Sequence, residues 1–341
     1  MMNKFGKELG EYIDFINVSK KEFASRISTS QKNLIDIING DVELSQDMIC
    51  KISLVTDIPV SYIENVENSF RVNKSIDLFL KNHNLKLNDY IKKYSLKNSK
   101  MKYEIDIIDS RDNYSIMRDI MRYLRISNLE QLYIENNSIF YKSKNDKLEL
   151  LALWLERCYK LALKQNVGIY ESKNIDFLVS YIKKMASNNI IDEEKLISVF
   201  NANGIFLVIE DDLPGSKVRG AFKVLNNKPA IYLTRKHKRI ADIYFALLHE
   251  LAHLKSDYSR AKSGSIVSYE IEENVDYEKR ADKQAFNWMI DDKIYNNLKY
   301  NYDNIPECVV KSFLVYRLAR DGIISYKSKL YQKYNILTNL D

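Results

Sequence analysis

Between Lys7 and Val66 apolar positions recur at helical intervals, in five short runs separated by tight polar breaks. "GKELGEYIDFIN" places Leu9, Tyr12, Ile13 and Ile16 on one face, and "QKNLIDIINGD" does the same with Leu34, Ile37 and Ile38. The breaks carry start and stop signals. Ser19 precedes "KKEFASRI" with Glu22 three residues on, the spacing of a capping box. Gly40 suits the end of the third run, Ser45 opens "SQDMICKISLVTDI", and Pro59 opens "PVSYIENV". Short helices joined by a small turn, within a unit of about 60 residues, predict a helix-turn-helix arrangement.

Residues 71–150 are less patterned. "LKLNDYIKKYSLKNSKMK" reads as a solvated lysine-rich face or connector, and "SIMRDIMRYLRI" as an amphipathic helix. In "KLELLALWLERCYKLALKQ" the residues Leu148, Leu151, Trp154, Leu155, Cys158 and Leu161 keep the helical period, which assigns Trp154 and Cys158 to a core.

After Asp192 the pattern changes. "EEKLISVFNANG" predicts a helix closed by Gly204, and "IFLVIED", "LPGSKVRGAFKVLN" and "KPAIYLT" predict three strands with a turn before the second. A helix from about Lys238 to Lys255 is apolar on nearly every face, so it is expected to be buried. The expected fold class is mainly α with a small β-sheet (α+β). Three regions are expected: 1–70 with the helix-turn-helix, a helical middle at 71–186, and 187–341 with the strands and the buried helix.

That buried helix carries "FALLHELAHLKSD". His249 and His253 project from one face a turn apart, a spacing that lets two imidazoles hold one cation. Glu250 lies about 100° round from His249, beside such a cation without ligating it, where a carboxylate can take a proton from water. Downstream, "NVDYEKRADKQAFNWMI" offers Glu278 as third ligand, with Asp282 a turn further on to orient a histidine from behind. Ala281, Ala285 and Trp288 form the apolar back of that helix. Glu270, Glu272, Glu273 and Asp276 are rival ligands assigned to a loop. Two nitrogens, one oxygen and an open position suit Zn²⁺, one ion per chain. Tyr269, Tyr277 and His237 are candidates for steadying an oxyanion or donating a proton.

Composition and charge narrow the partners. The chain has 341 residues, 29% of them charged, with only 9 Gly and 4 Pro, as in a folded helix-rich protein. No apolar run approaches the length of a membrane span and the first residues lack a signal-peptide pattern, so a cytoplasmic location and no membrane partner are expected. Cys50, Cys158 and Cys308 are far apart and are expected to be reduced, buried thiols. The net charge is +6, but residues 1–70 hold seven Lys/Arg against eleven Asp/Glu. An acidic module favours docking or dimerisation over DNA. Against that, Lys20, Lys21, Arg26 and Lys32 cluster at the helix-turn-helix, and Ser30, Gln31, Lys32 and Asn33 open its reading helix, where Gln and Asn suit adenine.

Two resemblances add to this reading. "VSKKEFASRISTSQKNLIDIINGDVELS" resembles the phage-repressor-like (XRE) helix-turn-helix family in its HigA-type antitoxin form. "YLRI", "FYKS" at 140–143 and "LWLERCY" follow, in order, the linker of longer HigA-like proteins. "LPGSKVRGAFKVLNNKPAIYLTRKHKRIADIYFALLHELAHL", then "EKRADKQA", is similar to the ImmA/IrrE family of zinc metallo-endopeptidases. The matching residues are Gly220, Ala221, Pro229, Arg235, Asp242, His249, Glu250, His253, Glu278, Ala281, Asp282 and Ala285. Ala252 stands where that family often has Gly, and Gln284 where many members have Phe. The resemblance implies a zincin-like peptidase domain with an HEXXH helix, acting on a protein substrate such as a regulator encoded nearby. It implies transcriptional work for the helix-turn-helix part. Apart from the resemblance, a homodimer is one expected state of the chain. The rival reading is a HigA-like antitoxin or repressor whose peptidase fold serves as sensor or scaffold.

Overall fold

The computed structural model describes residues 4–94, 112–135, 148–212, 218–236, 238–269, 275–302 and 305–338. Among these the chain is mainly helical with one small four-stranded mixed sheet, the α+β class expected. It divides into two compact units, one of residues 1–92 and 105–131, the other of 93–104 and 132–341.

In the first unit the five early runs form α1 (Lys4–Phe15), α2 (Lys20–Arg26), α3 (Gln31–Asn39), α4 (Gln46–Thr56) and α5 (Val60–Asn82). Leu9, Ile13, Phe23, Leu34, Ile37, Ile49, Ile52 and Ile63 make the core. The hydroxyl oxygens of Ser19, Ser30 and Ser45 accept the amides of Glu22, Asn33 and Met48, which satisfies otherwise orphaned donors at three helix starts. Gly40 ends α3 at φ 79°, a left-handed position that favours glycine. The reciprocal half of the capping box is absent, because Glu22 pairs instead with Arg26 at 2.5 Å. A charged partner one turn on competes with a neutral amide for that carboxylate.

The boundary expected at residue 70 falls inside α5, which continues to Asn82. Its second half buries Ile76, Phe79 and Leu80. Beyond it come α6 (Leu87–Lys93), α7 (Asn113–Leu124) and α8 (Glu130–Glu135). Phe79 meets the ring of Tyr90, Tyr114 donates to Asp77 at 2.6 Å, and Arg118 bonds Asn73. A helix whose apolar stripe runs past residue 70 needs cover there, and α6 and α7 supply it, while the boundary between the units falls within α8.

The second unit holds α9 (Leu148–Ala162), α10 (Asn174–Ser187) and α11 (Glu193–Ala202). The strands are β1 (Phe206–Glu210), β2 (Val218–Leu225), β3 (Lys228–Thr234) and β4 (Ile266–Tyr269), in the order β1-β3-β2-β4. β1 and β3 are parallel, and β2 is antiparallel to both β3 and β4. Four-residue β4 was not expected, since so short a run gives too little alternation to read. The long helix, α12 (Ile240–Ala261), lies against β2, β3 and the following α13 (Asp276–Met289). Asp276, read as loop, is therefore the first residue of α13. α14 (Asp292–Leu298), α15 (Lys311–Arg320) and α16 (Lys329–Tyr334) complete the unit.

Trp154 and Cys158 are core residues, as expected. Cys50 and Cys308 are exposed, contrary to expectation. Cys50 is on the solvent side of α4, whose inner face is taken by Met48, Ile49 and Ile52. No described helix is long and apolar enough to cross a membrane.

The C-terminal segment sets the start of α12. Asn335 is fully buried; its Oδ1 accepts the Ala241 amide at 2.9 Å, and its Nδ2 donates to Asp242 Oδ2 at 2.9 Å. One side chain thus satisfies an orphan helix donor and neutralises the polar need of a first-turn carboxylate.

Candidate metal centre

α12 is buried along almost its whole length, and His249, Glu250 and His253 are each fully inaccessible. Polar groups so buried require partners. The histidines find theirs on α12 itself and on α13. Nδ1 of His249 lies 2.7 Å from Asp282 Oδ1, and Nδ1 of His253 lies 3.0 Å from Asp257 Oδ2. With each Nδ1–H given to a carboxylate, both Nε2 atoms present lone pairs inward. There they meet one another at 3.1 Å, and His249 Nε2 meets Glu278 Oε2 at 3.0 Å. Oε1 of Glu278 is 3.1 Å from His253 Nε2 without the alignment of a hydrogen bond.

Three electron-rich atoms converging this closely need a positive charge among them. Ligand atoms of His249, His253 and Glu278 all lie within 4.8 Å of one another, a group that could hold a metal ion. Donors held tetrahedrally about 2.0–2.2 Å from one ion stand about 3.3–3.6 Å apart, close to the separations found here. The donor set fits.

In the metal-free chain protons answer the same demand. Burial works against charging His249, but its bonds to Asp282 and Glu278 raise its pKa overall. Burial opposes charge on His253 too, yet Asp257 and Glu278 push it up to about 9. Burial would raise Glu278, but its two histidine partners hold it far below the usual carboxylate range. Asp282 is likewise lowered against the effect of burial, by His249 and then by the charges of Arg219 and Arg320. Those two guanidiniums approach it at 4.0 and 3.8 Å.

Glu250 stands apart. Neither of its oxygens makes a well-aligned hydrogen bond among the described residues. Burial raises its pKa, with His249, His253 and the nearby buried Ser268 hydroxyl on β4 working the other way. Gly220 on β2 gives it room, because a Cβ there would lie 2.6 Å from Glu250 Oε1.

Of the candidate oxyanion groups, Tyr277 is buried with its ring 5.9 Å from that of His253 and under the Arg260 guanidinium at 4.7 Å. Tyr269 ends β4. His237 lies outside the described residues, as do Glu270, Glu272, Glu273 and the "FYKS" stretch. Ala281 and Ala285 are buried as expected, while Trp288 is half-buried with Lys255 over its ring at 5.4 Å.

In the first unit, Ser30 caps α3, Gln31 and Lys32 are exposed on its first turn, and Asn33 is half-buried with its amide donating to Thr29 Oγ1 at 2.9 Å. Two of the four candidate DNA contacts, Ser30 and Asn33, are therefore engaged within the protein.

Sequence reasoning missed Asp257, Gly220 as the neighbour of Glu250, and the arginines behind Asp282. Asp257 had a readable signal, an acid four residues after His253. Comparison with family models, curated proteins and solved structures found no match.

Proposed function

We propose that the chain is a zinc-dependent metallo-endopeptidase joined to a DNA-binding helix-turn-helix, cleaving a regulatory protein and so controlling transcription. The observation that carries this reading is Glu250: a fully buried carboxylate without a well-aligned hydrogen bond among the described residues, one residue along α12 from His249. A site that only bound a structural ion would need ligands and no such group, since a buried carboxylate without well-aligned hydrogen bonds costs stability.

His249, His253 and Glu278 would hold the ion, and their N₂O donor set favours zinc. Zinc when bound would polarise a substrate carbonyl and render water acidic near neutral pH. Glu250, with its pKa raised by burial, would accept the proton from the attacking water and pass it to the leaving amine. Asp282 would keep His249 in the tautomer that ligates. Regulators encoded nearby are the expected protein substrates.

Support for DNA binding comes from the first-unit geometry. Two short helices, α2 and α3, share one core, and Gln31 and Lys32 project from the first turn of α3. The rival, an antitoxin or repressor using the second unit as a sensor, has no need of Glu250.

Co-expression of the wild type and Glu250→Gln with neighbouring gene products, followed by mass spectrometry, tests the peptidase. Identical fragments from both would overturn it. Binding to DNA from the protein's own promoter, titrated against salt, tests the regulator half: no specific complex at low salt removes it.

A further inference from the structure

α12 is not one regular helix. Asp257 departs from helical geometry at φ −122°, ψ 16°, and the turn that follows, through Ala261, continues beyond the break. Asp257 is also only 6% exposed, unusual for a carboxylate so near a helix end. Its two oxygens go in different directions. Oδ2 meets Nδ1 of His253 at 3.0 Å, and Oδ1 meets Nη2 of Arg280 on α13 at 3.3 Å. Arg280 sits two residues after Glu278 on the same helix.

Past the break a second contact joins the same two helices. Arg260 lies over the ring of Tyr277, which in turn packs edge-on against His253. The terminal stretch of α12 thus touches α13 on both sides of Glu278 while backing one ligand histidine.

We infer that Asp257 is a positioning residue of the metal centre, which fixes the ring of His253 and ties it to the helix that bears Glu278. This inference rests on the metal-binding reading above. It gives each ligand histidine its own carboxylate: Asp282 from α13 for His249, and Asp257 from α12 for His253. The two differ in what they join. Asp282 crosses from α13 to His249 and also meets Arg219 and Arg320, whereas Asp257 backs a histidine of its own helix and reaches α13 through Arg280. Arg280 is 61% exposed along its side chain, so the solvent-screened half of the clamp contributes less than the buried half.

The test uses the full chain with zinc alone and with Co²⁺ as a spectroscopic probe. Zinc dissociation constants from chelator competition are expected to weaken about 10–100-fold in Asp257→Ala, as for other carboxylates behind ligating histidines. Asp257→Asn keeps an oxygen to accept Nδ1–H and is expected to hold affinity within about tenfold of wild type. The visible Co²⁺ bands should change shape in the alanine variant and be rescued in the asparagine one, a difference that a general loss of packing would not give. Asp257→Ser, which cannot reach Nδ1, stands in should the alanine variant fail to fold. Wild-type affinity and unchanged Co²⁺ bands in the loss variants overturn the inference and leave the metal site standing. A wild-type chain that takes up no zinc overturns both.

Discussion

A Cβ added to Gly220 would stand 2.6 Å from Oε1 of Glu250 and 3.0 Å from the Tyr232 carbonyl oxygen. The backbone of β2 therefore closes over the carboxylate with space for a hydrogen and nothing larger. Gly220→Ala must push Glu250 aside or bend the strand. Zinc content is expected to stay near one per chain while peptide cleavage falls at least about tenfold, because displacement of a reacting group by an ångström is costly. Elemental analysis and turnover of the same preparation check this; unchanged turnover would show that Glu250 is not the base.

Glu250→Gln and His253→Ala should separate chemistry from binding. The first keeps all three ligands, so full zinc with a cleavage rate lowered by about 10²–10⁴-fold is expected. The second removes a ligand and should leave well under one zinc per chain. Equal zinc in His253→Ala and wild type would refute the ligand set His249, His253 and Glu278.

Chelator-treated protein should lose stability as the medium turns alkaline. His253, at 6.5 when unfolded, is held at about 9 in the folded metal-free chain. Its raised pKa stabilises the fold fully below about pH 6.5, and that contribution disappears as pH rises through about 9. Melting temperatures across that window should fall for the metal-free chain and fall less with zinc present, since zinc replaces the proton that holds the cluster together. Parallel curves with and without zinc would contradict this.

In the first unit the cap and the candidate reading residues make separable predictions. Ser30→Ala removes the acceptor for the Asn33 amide and should destabilise α3 by about 1 kcal/mol, with or without DNA. Lys32→Ala should leave stability unchanged and, if Lys32 meets a phosphate, lower the slope of log affinity against log salt by about one. Thermal melts and salt-titrated binding to promoter DNA check the two arms. A Lys32 variant with the wild-type slope would exclude that contact.

The periodicity of the chain contained α1 to α5, α7, α9, α11 to α13 and three of the four strands, since amphipathic spacing and caps such as Ser45 act over a few residues; α6, read as a solvated face or connector, instead buries Tyr90. It also contained the metal set: His249 and His253 are one turn apart in any helix, and the pairing of Glu278 with Asp282 follows from the same geometry. What it could not contain were relations across space. That α5 carries its apolar stripe beyond residue 70, that Cys50 faces water, and that β4 completes the sheet depend on which surfaces meet. So do the approach of Gly220 to Glu250 and the burial of Asn335 at the start of α12. The double role of Asp257 is the clearest case. Its distance from His253 was written in the sequence, but only the tertiary packing buried the carboxylate and brought Arg280 of α13 to its other oxygen.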